Sequence, residues 1–352
     1  MHLLDMAIDT LRTKGLVITN EEAEAACAAI LLHDIGHGPF SHALEYSIVN
    51  GVSHEVLSKC FMQQLNKELS GRLTLAIKIF DDNYPKKFLH QLISGQLDMD
   101  RMDYIKRDSF FSGVTEGAIG SDRIIKMLQV VDDNLVVEAK GIYSIEKFLI
   151  ARRLMYWQVY LHKTVVAAEQ TLIKMLKRAK ELAKNNVDVS STPSLNYFLY
   201  NDISIDQFTS PLSGATNEAL NHFSQLDDSD IMIAAKQWIN HPDKTLSILS
   251  HMVANRKLLS ISLKNTPFDK EQIKMFDDKF KSIFPEIAEH SNNFVFSDSI
   301  SIHAYQPGDE SIKILYNNGQ LSDIAEASDM LNAKALSDEV KKYFFCYPKE
   351  LR

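Results

Sequence analysis

The 352 residues suffice for one large domain, or for one domain with an appendage, and a hydrophobic content of 45% is enough for a packed core. The formal net charge of -8 argues against nucleic acid as a partner but allows a local basic pocket for a phosphorylated small molecule. Neither an apolar run of about 18 residues nor a signal peptide is present, so we expect a cytoplasmic protein with no membrane partner. Three cysteines without CxxC spacing argue against a disulfide framework and a thiolate zinc site.

The first two predicted elements are helices that lead into a histidine-rich turn. Residues 3–14 carry one apolar stripe at helical spacing, which stops at Gly15. A capping-box pattern between Thr19 and Glu22 then starts a second helix. This helix delivers the pair His33-Asp34 at its C-terminal end.

The turn reads HDIGHGPFSH, from His33 to His42, and combines three imidazoles and a carboxylate with two glycines. The adjacent His33 and Asp34 can offer a nitrogen and an oxygen donor to one cation, a mixed set that suits Mn, Fe, Zn, Ni or Mg. A single histidine is more often a hydrogen-bonded core residue. Four of the 12 histidines, however, lie between positions 33 and 54, and this clustering favours a metal or catalytic site.

Two helices are predicted directly after this turn. The first begins at Pro39 and carries His42 and Glu45 on one face. Ser53 is a predicted N-cap of the second, which places His54 in its first turn.

A short helix over about residues 85–93 precedes an acidic segment that is also predicted to be helical. In that segment Asp100, Tyr104 and Asp108 are spaced by four, so all three lie on one helix face. A solvated charged face is the ordinary interpretation of such a run. The tyrosine on the acidic face and the apolar Met102 nearby favour a face that lines a site.

The middle of the sequence contains a predicted hairpin and a long helix. Residues 129–138 indicate a β-hairpin about an Asp-Asn turn, a small insertion. Over about 144–185 the spacing of Arg152, Tyr156 and Tyr160 puts a guanidinium and two phenols on one helix face, as in a phosphate and ligand site. A solvated face of an exposed helix has equal weight from the sequence alone.

The remaining sequence is mostly helical up to residue 290 and then changes to strand periodicity. We therefore predict a mainly α fold, a helical bundle with a small β-hairpin insertion and a C-terminal α+β appendage. The predicted domains are a catalytic core at 1–185, a helical extension at 186–290 and the appendage at 291–352.

The HDxGHGPFSH string, the segment Ser53-His54-Glu55 and the acidic helix from Asp98 to Asp108 together resemble the HD-domain phosphohydrolases. The resemblance is closest to the branch that contains the deoxynucleoside triphosphate triphosphohydrolases, and it covers about residues 1–185. It implies an HD-domain helical bundle that binds a divalent metal ion and forms a homo-oligomer. It also implies hydrolysis of (deoxy)nucleoside triphosphates to nucleoside and triphosphate.

The resemblance assigns a role to each matching residue. The implied metal ligands are His33, Asp34 and Asp100; the implied catalytic residues for proton transfer are His37, His54 and Glu45; the implied contacts to phosphates and sugar are His42, Arg101, Tyr104, Asp108, Arg152 and Tyr160. A divalent cation on the three ligands would polarise a phosphoryl oxygen and lower the pKa of a bound water. The metal, whether Mg, Mn, Fe, Ni or Zn, stays open.

One departure from the family pattern concerns a further metal histidine, which relatives carry in an HxRxxHS segment ahead of the first helix. This sequence starts at Met1-His2, and we do not assign that place to His2. We therefore expect an N-terminal truncation relative to the family. Two alternatives remain open: an HD phosphohydrolase for another phosphate ester or a cyclic nucleotide, and an inactive nucleotide-binding module.

Overall fold

The computed structural model describes residues 1–41, 47–49, 51–209, 217–302, 305–306, 308, 311–329 and 339–352. The predicted helix with His42 and Glu45 lies mostly outside these ranges. Its expected start is a turn instead, in which Phe40 and Ser41 have φ values of 54° and 52°. These left-handed backbone angles are incompatible with the first turn of an α-helix.

Helices dominate the described parts of the chain, so the predicted mainly α class is confirmed. The helices are α1 (His2–Thr13), α2 (Asn20–Leu32), α3 (His54–Glu68), α4 (Thr74–Phe80), α5 (Lys87–Gln91), α6 (Met99–Ser112), α7 (Ser121–Met127), α8 (Ile142–Met155), α9 (Lys163–Lys184), α10 (Pro193–Tyr200), α11 (Ile205–Thr209), α12 (Glu218–Ser224), α13 (Asp228–Trp238), α14 (Lys244–Ala254), α15 (Lys270–Ile283) and α16 (Ile324–Ala327). The strands are β1 (Leu128–Val131), β2 (Asn134–Glu138), β3 (Ser260–Lys264), β4 (Phe296–Ile302), β5 (Lys313–Leu315), β6 (Leu321–Asp323) and β7 (Val340–Tyr347). None of the helices in the described ranges has the length and apolarity needed to cross a bilayer.

The chain divides into two compact units that alternate along the sequence. The first unit comprises Met1–Asp34, Met62–Leu161 and Ser301–Val340. The second unit comprises Ile35–Phe61, His162–Ile300 and Lys341–Arg352. These units do not coincide with the consecutive domains 1–185, 186–290 and 291–352, because each unit draws on distant parts of the chain.

The predicted hairpin forms, but it belongs to a larger sheet in the first unit, with strand order β1-β2-β5-β6. Its turn residues are Asp132 and Asp133, one position earlier than expected, with φ values of 49° and 60°. β5 pairs in parallel with β2, with Val137 opposite Ile314, and β6 pairs antiparallel with β5. The hairpin therefore pairs with a C-terminal segment and is not an isolated insertion.

The second unit contains a three-stranded sheet in the order β3-β7-β4. β3 lies in a stretch predicted to be helical, and it pairs antiparallel with β7, with Ile261 opposite Cys346. The strands predicted for the C-terminal appendage are thus shared between the two sheets. They do not form a separate body.

Each unit has a hydrophobic core of its own. The first core includes the fully buried Leu4, Leu11, Phe88, Met102 and Phe148. The second core includes the fully buried Met175, Phe198, Ala235, Leu249 and Cys346. α1 matches its prediction because its apolar stripe is the face that enters the first core.

The long helix predicted over about 144–185 is interrupted. α8 continues into a π-helical turn, Tyr156–Tyr160, which is closed by a 2.6 Å hydrogen bond from the Leu161 amide to the Tyr156 carbonyl. His162 has an extended ψ of 138° and caps α9, since its Nδ1 accepts a hydrogen bond from the Thr164 amide. The break follows from this cap, because an N-cap residue leaves the helical backbone conformation.

Candidate metal and phosphate site

α2 delivers His33 with its orientation already fixed. The capping box between Thr19 and Glu22 forms as predicted, and His33 follows the last residue of α2 with helical φ and ψ of -59° and -32°. Its Nδ1 lies 2.8 Å from the Ile30 carbonyl oxygen. Because a carbonyl oxygen can only accept, Nδ1 carries the hydrogen, and Nε2 of the neutral ring keeps its lone pair for a ligand.

Two carboxylates lie near this Nε2 atom within the first unit and complete a group of three possible metal ligands. Nε2 lies 3.4 Å from Asp34 Oδ2 and 3.6 Å from Asp100 Oδ2, and one donor atom from each residue lies within 4.8 Å of the others. Donors about 2.1 Å from a shared ion are about 3.0–3.6 Å apart at bond angles of about 90–120°. The arrangement and its mixed nitrogen and oxygen chemistry therefore fit a divalent metal ion.

The pKa of His33 reflects its two acidic neighbours. Burial by itself lowers the pKa of this imidazole, but the hydrogen bond to Asp100 and the negative charges of Asp34 and Asp100 outweigh burial and raise the pKa to about 8. In the metal-free chain at neutral pH, His33 is therefore mostly protonated and paired with the acids. A metal ion must displace that proton.

α6 lines up the residues predicted to share one face. Asp98 caps the helix, Asp100 lies in its first turn, and Tyr104 and Asp108 follow one and two turns later. The Tyr160 hydroxyl donates a 2.7 Å hydrogen bond to Asp108 Oδ2. A metal-type donor, a phenol and a carboxylate thus follow one another along a single helix face.

A buried arginine and three tyrosines form an aromatic and cationic cluster next to this helix. Arg152 is 9% exposed, and its Cζ lies 5.9 Å from the centre of the Tyr156 ring. Tyr160 packs edge-on against Tyr104 and Tyr156, with centroid distances of 5.9 Å and 5.3 Å. The sequence interpretation of a solvated helix face is therefore wrong for Arg152.

The charge states of this cluster suit an anionic ligand. Burial raises the pKa of Tyr104, and burial together with the Asp108 hydrogen bond raises the pKa of Tyr160, so both phenols stay protonated and can donate. Burial, followed by the nearby positive charge of Arg101, lowers the pKa of Arg152. An arginine remains charged in proteins, so the cluster presents two neighbouring cations that a phosphate would neutralise.

Sequence reasoning gave no role to Asp98, which the structure places in contact with Arg101. Arg101 Nε lies 3.0 Å from Asp98 Oδ2. Burial raises the pKa of Asp98 to about 7, while the Arg101 charge and the amide of Arg101 oppose that rise. The available signal was its position, directly before a helix, where aspartate commonly caps.

His37 and His54 lie in the second unit, where their rings stack with centroids 3.9 Å apart and planes at 12°. His54 opens α3 as predicted, and the Ser53 hydroxyl accepts a 3.4 Å hydrogen bond from the Val56 amide. The other two residues predicted near the scissile phosphate, His42 and Glu45, lie outside the described ranges.

Gly36 lets the turn approach the start of α3 very closely. Its amide donates a 2.9 Å hydrogen bond to the buried Ser58 hydroxyl. A Cβ atom at this position would lie 2.2 Å from the His54 carbonyl oxygen and 2.3 Å from the Ser58 amide nitrogen. Since its φ is not among the left-handed values, the requirement is close packing of two backbones.

We expect Gly36→Ala to lower the free energy of unfolding by at least about 2 kcal/mol, because the methyl group can be accommodated only if backbone moves. Urea denaturation of the full chain measures this change. Gly120→Ala is the matched control, since no heavy atom lies within 4 Å of a Cβ there. Equal stabilities of the two variants would contradict the packing argument.

Comparisons with known proteins give the family of the chain. The HD domain family model matches residues 2–108, and the HD associated region model matches residues 119–198. The uncharacterized protein YwfO of Bacillus subtilis (strain 168) is 30% identical over 349 residues, which are 94% of this chain and 75% of that protein. A phosphohydrolase crystal structure from Bacteroides thetaiotaomicron VPI-5482 is 55% identical with a TM-score of 0.91, and the match covers 99% of this chain and 85% of that one. The chain belongs to the HD-domain phosphohydrolase superfamily.

The resemblance predicted from the sequence is thus confirmed at the level of the superfamily. HD domains are metal-dependent phosphohydrolases, and the matched region contains His33, Asp34 and Asp100. A named deoxynucleoside triphosphate triphosphohydrolase, the SAMHD1 homolog of Dictyostelium discoideum, is also similar. It is 26% identical over 202 residues, which are 52% of this chain and 39% of that protein.

Proposed function

We propose that this HD-domain protein hydrolyses deoxynucleoside triphosphates to the nucleoside and inorganic triphosphate, with a divalent metal ion. The observation that carries the proposal is the row of Asp100, Tyr104 and Asp108 along α6, with Arg152 and Tyr160 beside it. We assign Asp100 to the metal, Arg152 to the phosphates, and Asp108 with Tyr160 to the sugar. The similarity to the Dictyostelium discoideum triphosphohydrolase also supports this substrate class.

In this proposal the chain's own residues bind and orient the triphosphate. His33, Asp34 and Asp100 hold the ion, which supplies Lewis-acid polarisation of a phosphoryl oxygen when it is bound. Arg101 and Arg152 neutralise the negative charge that accumulates on the phosphates. Because Arg152 is buried, its charge is weakly screened by water and acts strongly on a phosphate at that position.

The sugar end of the proposed site is built from Asp108, Tyr160 and Tyr104. Asp108 accepts from the Tyr160 hydroxyl through Oδ2, and its carboxylate has further acceptor capacity for a sugar hydroxyl. Tyr104, whose ring meets the Tyr160 ring edge-on, would limit the space on the other side of the sugar. Proton transfer by His37, His54 and Glu45 stays a prediction from the sequence.

A substrate panel with product analysis tests the proposal. The full chain is incubated with Mn²⁺ or Mg²⁺ and with deoxynucleoside triphosphates, ribonucleoside triphosphates, cyclic nucleotides and simple phosphate monoesters, and the products are separated by ion-exchange chromatography. Release of intact triphosphate from deoxynucleotides supports the proposal. Release of orthophosphate from another ester, opening of a cyclic nucleotide, or binding without turnover would each contradict it.

The pKa of His33 leads to a prediction about metal binding. Because the imidazole must be neutral to ligate and its pKa is about 8 without metal, binding at pH 7 is expected to release about one proton. The metal affinity should fall about tenfold for each pH unit below 8, since protonation then competes directly. Calorimetry in buffers of different ionisation enthalpy counts the released protons.

His90→Gln is the control for this measurement. His90 lies in the same unit, and its Nδ1 is 3.0 Å from the Ile79 carbonyl oxygen, but it has no place in the donor group. Its loss should leave the number of released protons unchanged. A metal affinity that does not vary between pH 6 and pH 8 would rule out His33 as a ligand.

A further inference from the structure

A buried carboxylate at the start of α6 takes no part in the reaction proposed above. Asp98 is 3% exposed. Its Oδ1 accepts a 2.6 Å hydrogen bond from the Arg101 amide, and its Oδ2 accepts a 3.2 Å hydrogen bond from the Gly95 amide. These two bonds satisfy backbone donors at the beginning of the helix, which is the usual work of a capping residue.

The same carboxylate also holds the side chain of Arg101, and a cap does not need this contact. Arg101 Nε lies 3.0 Å from Asp98 Oδ2, and the Asp98 side chain is 4% exposed while that of Arg101 is 29% exposed. The acidic side chain of the pair is therefore buried, and the arginine side chain is partly exposed to solvent. The bond uses Nε–H, which is one of the five N–H donors of a guanidinium; the other four belong to the two terminal nitrogens.

Arg101 needs such an anchor because it lies near a second cation. Like charges repel, and after burial the positive charge of Arg101 contributes to the lowered pKa of Arg152. Repulsion of this kind favours movement of the more exposed Arg101 side chain. The buried carboxylate of Asp98 opposes that movement from a fixed position on the same helix turn.

We propose that Asp98 is a positioning residue, which holds the Arg101 guanidinium in the orientation that binds a phosphoryl group. The inference rests on the proposed function in one respect, the contact of Arg101 with phosphate. A side chain that is already ordered loses less conformational entropy when the ligand binds. Asp98 thus contributes to ligand affinity without contacting the ligand.

A double-mutant cycle on the binding of inorganic triphosphate tests this role, by calorimetry with the metal-loaded full chain. Asp98→Asn keeps an oxygen acceptor for one of the two backbone amides and removes the charge. We expect it to weaken triphosphate binding by between about 2-fold and 10-fold, the effect of ordering one long side chain on binding. In an Arg101→Ala background the same change should have no further effect. For the nucleotide substrate, KM should rise more than kcat falls.

Asp103→Asn is the matched control, because Asp103 forms an exposed acid–arginine pair with Arg107 on the same helix. It should leave triphosphate binding unchanged. Asp98→Ser provides a second variant if the asparagine protein does not fold, since serine is also an effective N-cap but is too short to reach the guanidinium.

Three results would overturn the inference. They are unchanged binding in Asp98→Asn, an equal loss with and without Arg101, and a wild-type chain that does not bind triphosphate. An equal loss in both backgrounds would mean that Asp98 acts only as a cap. Failure of the proposed function gives a different result. Deoxynucleoside triphosphates would then not be hydrolysed in the substrate panel, but the double-mutant cycle on triphosphate binding would still measure the coupling between Asp98 and Arg101.

Discussion

Asp100→Ala is expected to lower the rate of metal-dependent hydrolysis by at least about 10³-fold, since a metal ion contributes several kcal/mol to transition-state stabilisation. Asp100 reaches the donor group from α6, whereas His33 and Asp34 follow α2, so its loss leaves two donors that are adjacent in sequence. Such a pair holds a divalent ion weakly. Metal content by mass spectrometry and turnover of deoxynucleoside triphosphates should fall together.

Asp103→Ala is the control for this substitution. Asp103 lies three residues later on α6, and its side chain is about half exposed in a pair with Arg107. Loss of an exposed pair costs little stability, so this variant should keep its metal and its activity. Full activity of Asp100→Ala would contradict the assignment of the metal site.

Arg152→Ala is expected to lower kcat/KM by between about 10²-fold and 10³-fold, as does the loss of one preorganised donor aimed at developing charge. The buried guanidinium is held in a low-dielectric setting beside Tyr156, and water cannot replace its charge there as effectively. Arg152→Lys keeps a charge but loses the planar fork, so its activity should lie between those of the wild type and Arg152→Ala.

Stability must be measured beside activity for Arg152, because truncation of a buried side chain also leaves a cavity. Arg153→Ala, at the next residue of α8 and only half-buried, controls for the loss of a positive charge from this helix. Unfolding in urea separates a folding defect from a catalytic one. Equal kcat/KM values for the Arg152 and Arg153 variants would refute a phosphate-binding role for Arg152.

The local parts of the fold were predictable because their signals lie within a few residues. The capping box from Thr19 to Glu22, the N-cap Ser53 and the acidic face of α6 are each set by side chains close in sequence. The break after Tyr160 was not predicted, since a π-helical turn has no simple periodic pattern. β3 was missed because its pairing partner, β7, follows about 80 residues later, and such pairing leaves no local trace.

For the site, the sequence indicated which residue types take part, but not how deeply they are buried or which groups they contact. The four-residue spacing of Arg152, Tyr156 and Tyr160 indicated a shared face, yet only the structure shows that Arg152 is buried and that Tyr160 contacts Asp108. In the sequence, Gly36 is one of the two glycines of the histidine-rich turn. The structure gives the reason for this glycine, the contact with the backbone of His54 and Ser58. Distances between backbones that come from separate elements cannot be derived from composition or periodicity.

The alternation of the two units along the chain affects how the protein can fold as it leaves the ribosome. β2 acquires its neighbour β5 only after about 175 further residues have been synthesised, and β3 waits for β7 in the same way. Until then, strand edges that are later paired remain exposed, and such edges attract other chains. The two units therefore cannot fold completely one after the other during translation. We expect chaperones that shield nascent strands to raise the yield of folded protein.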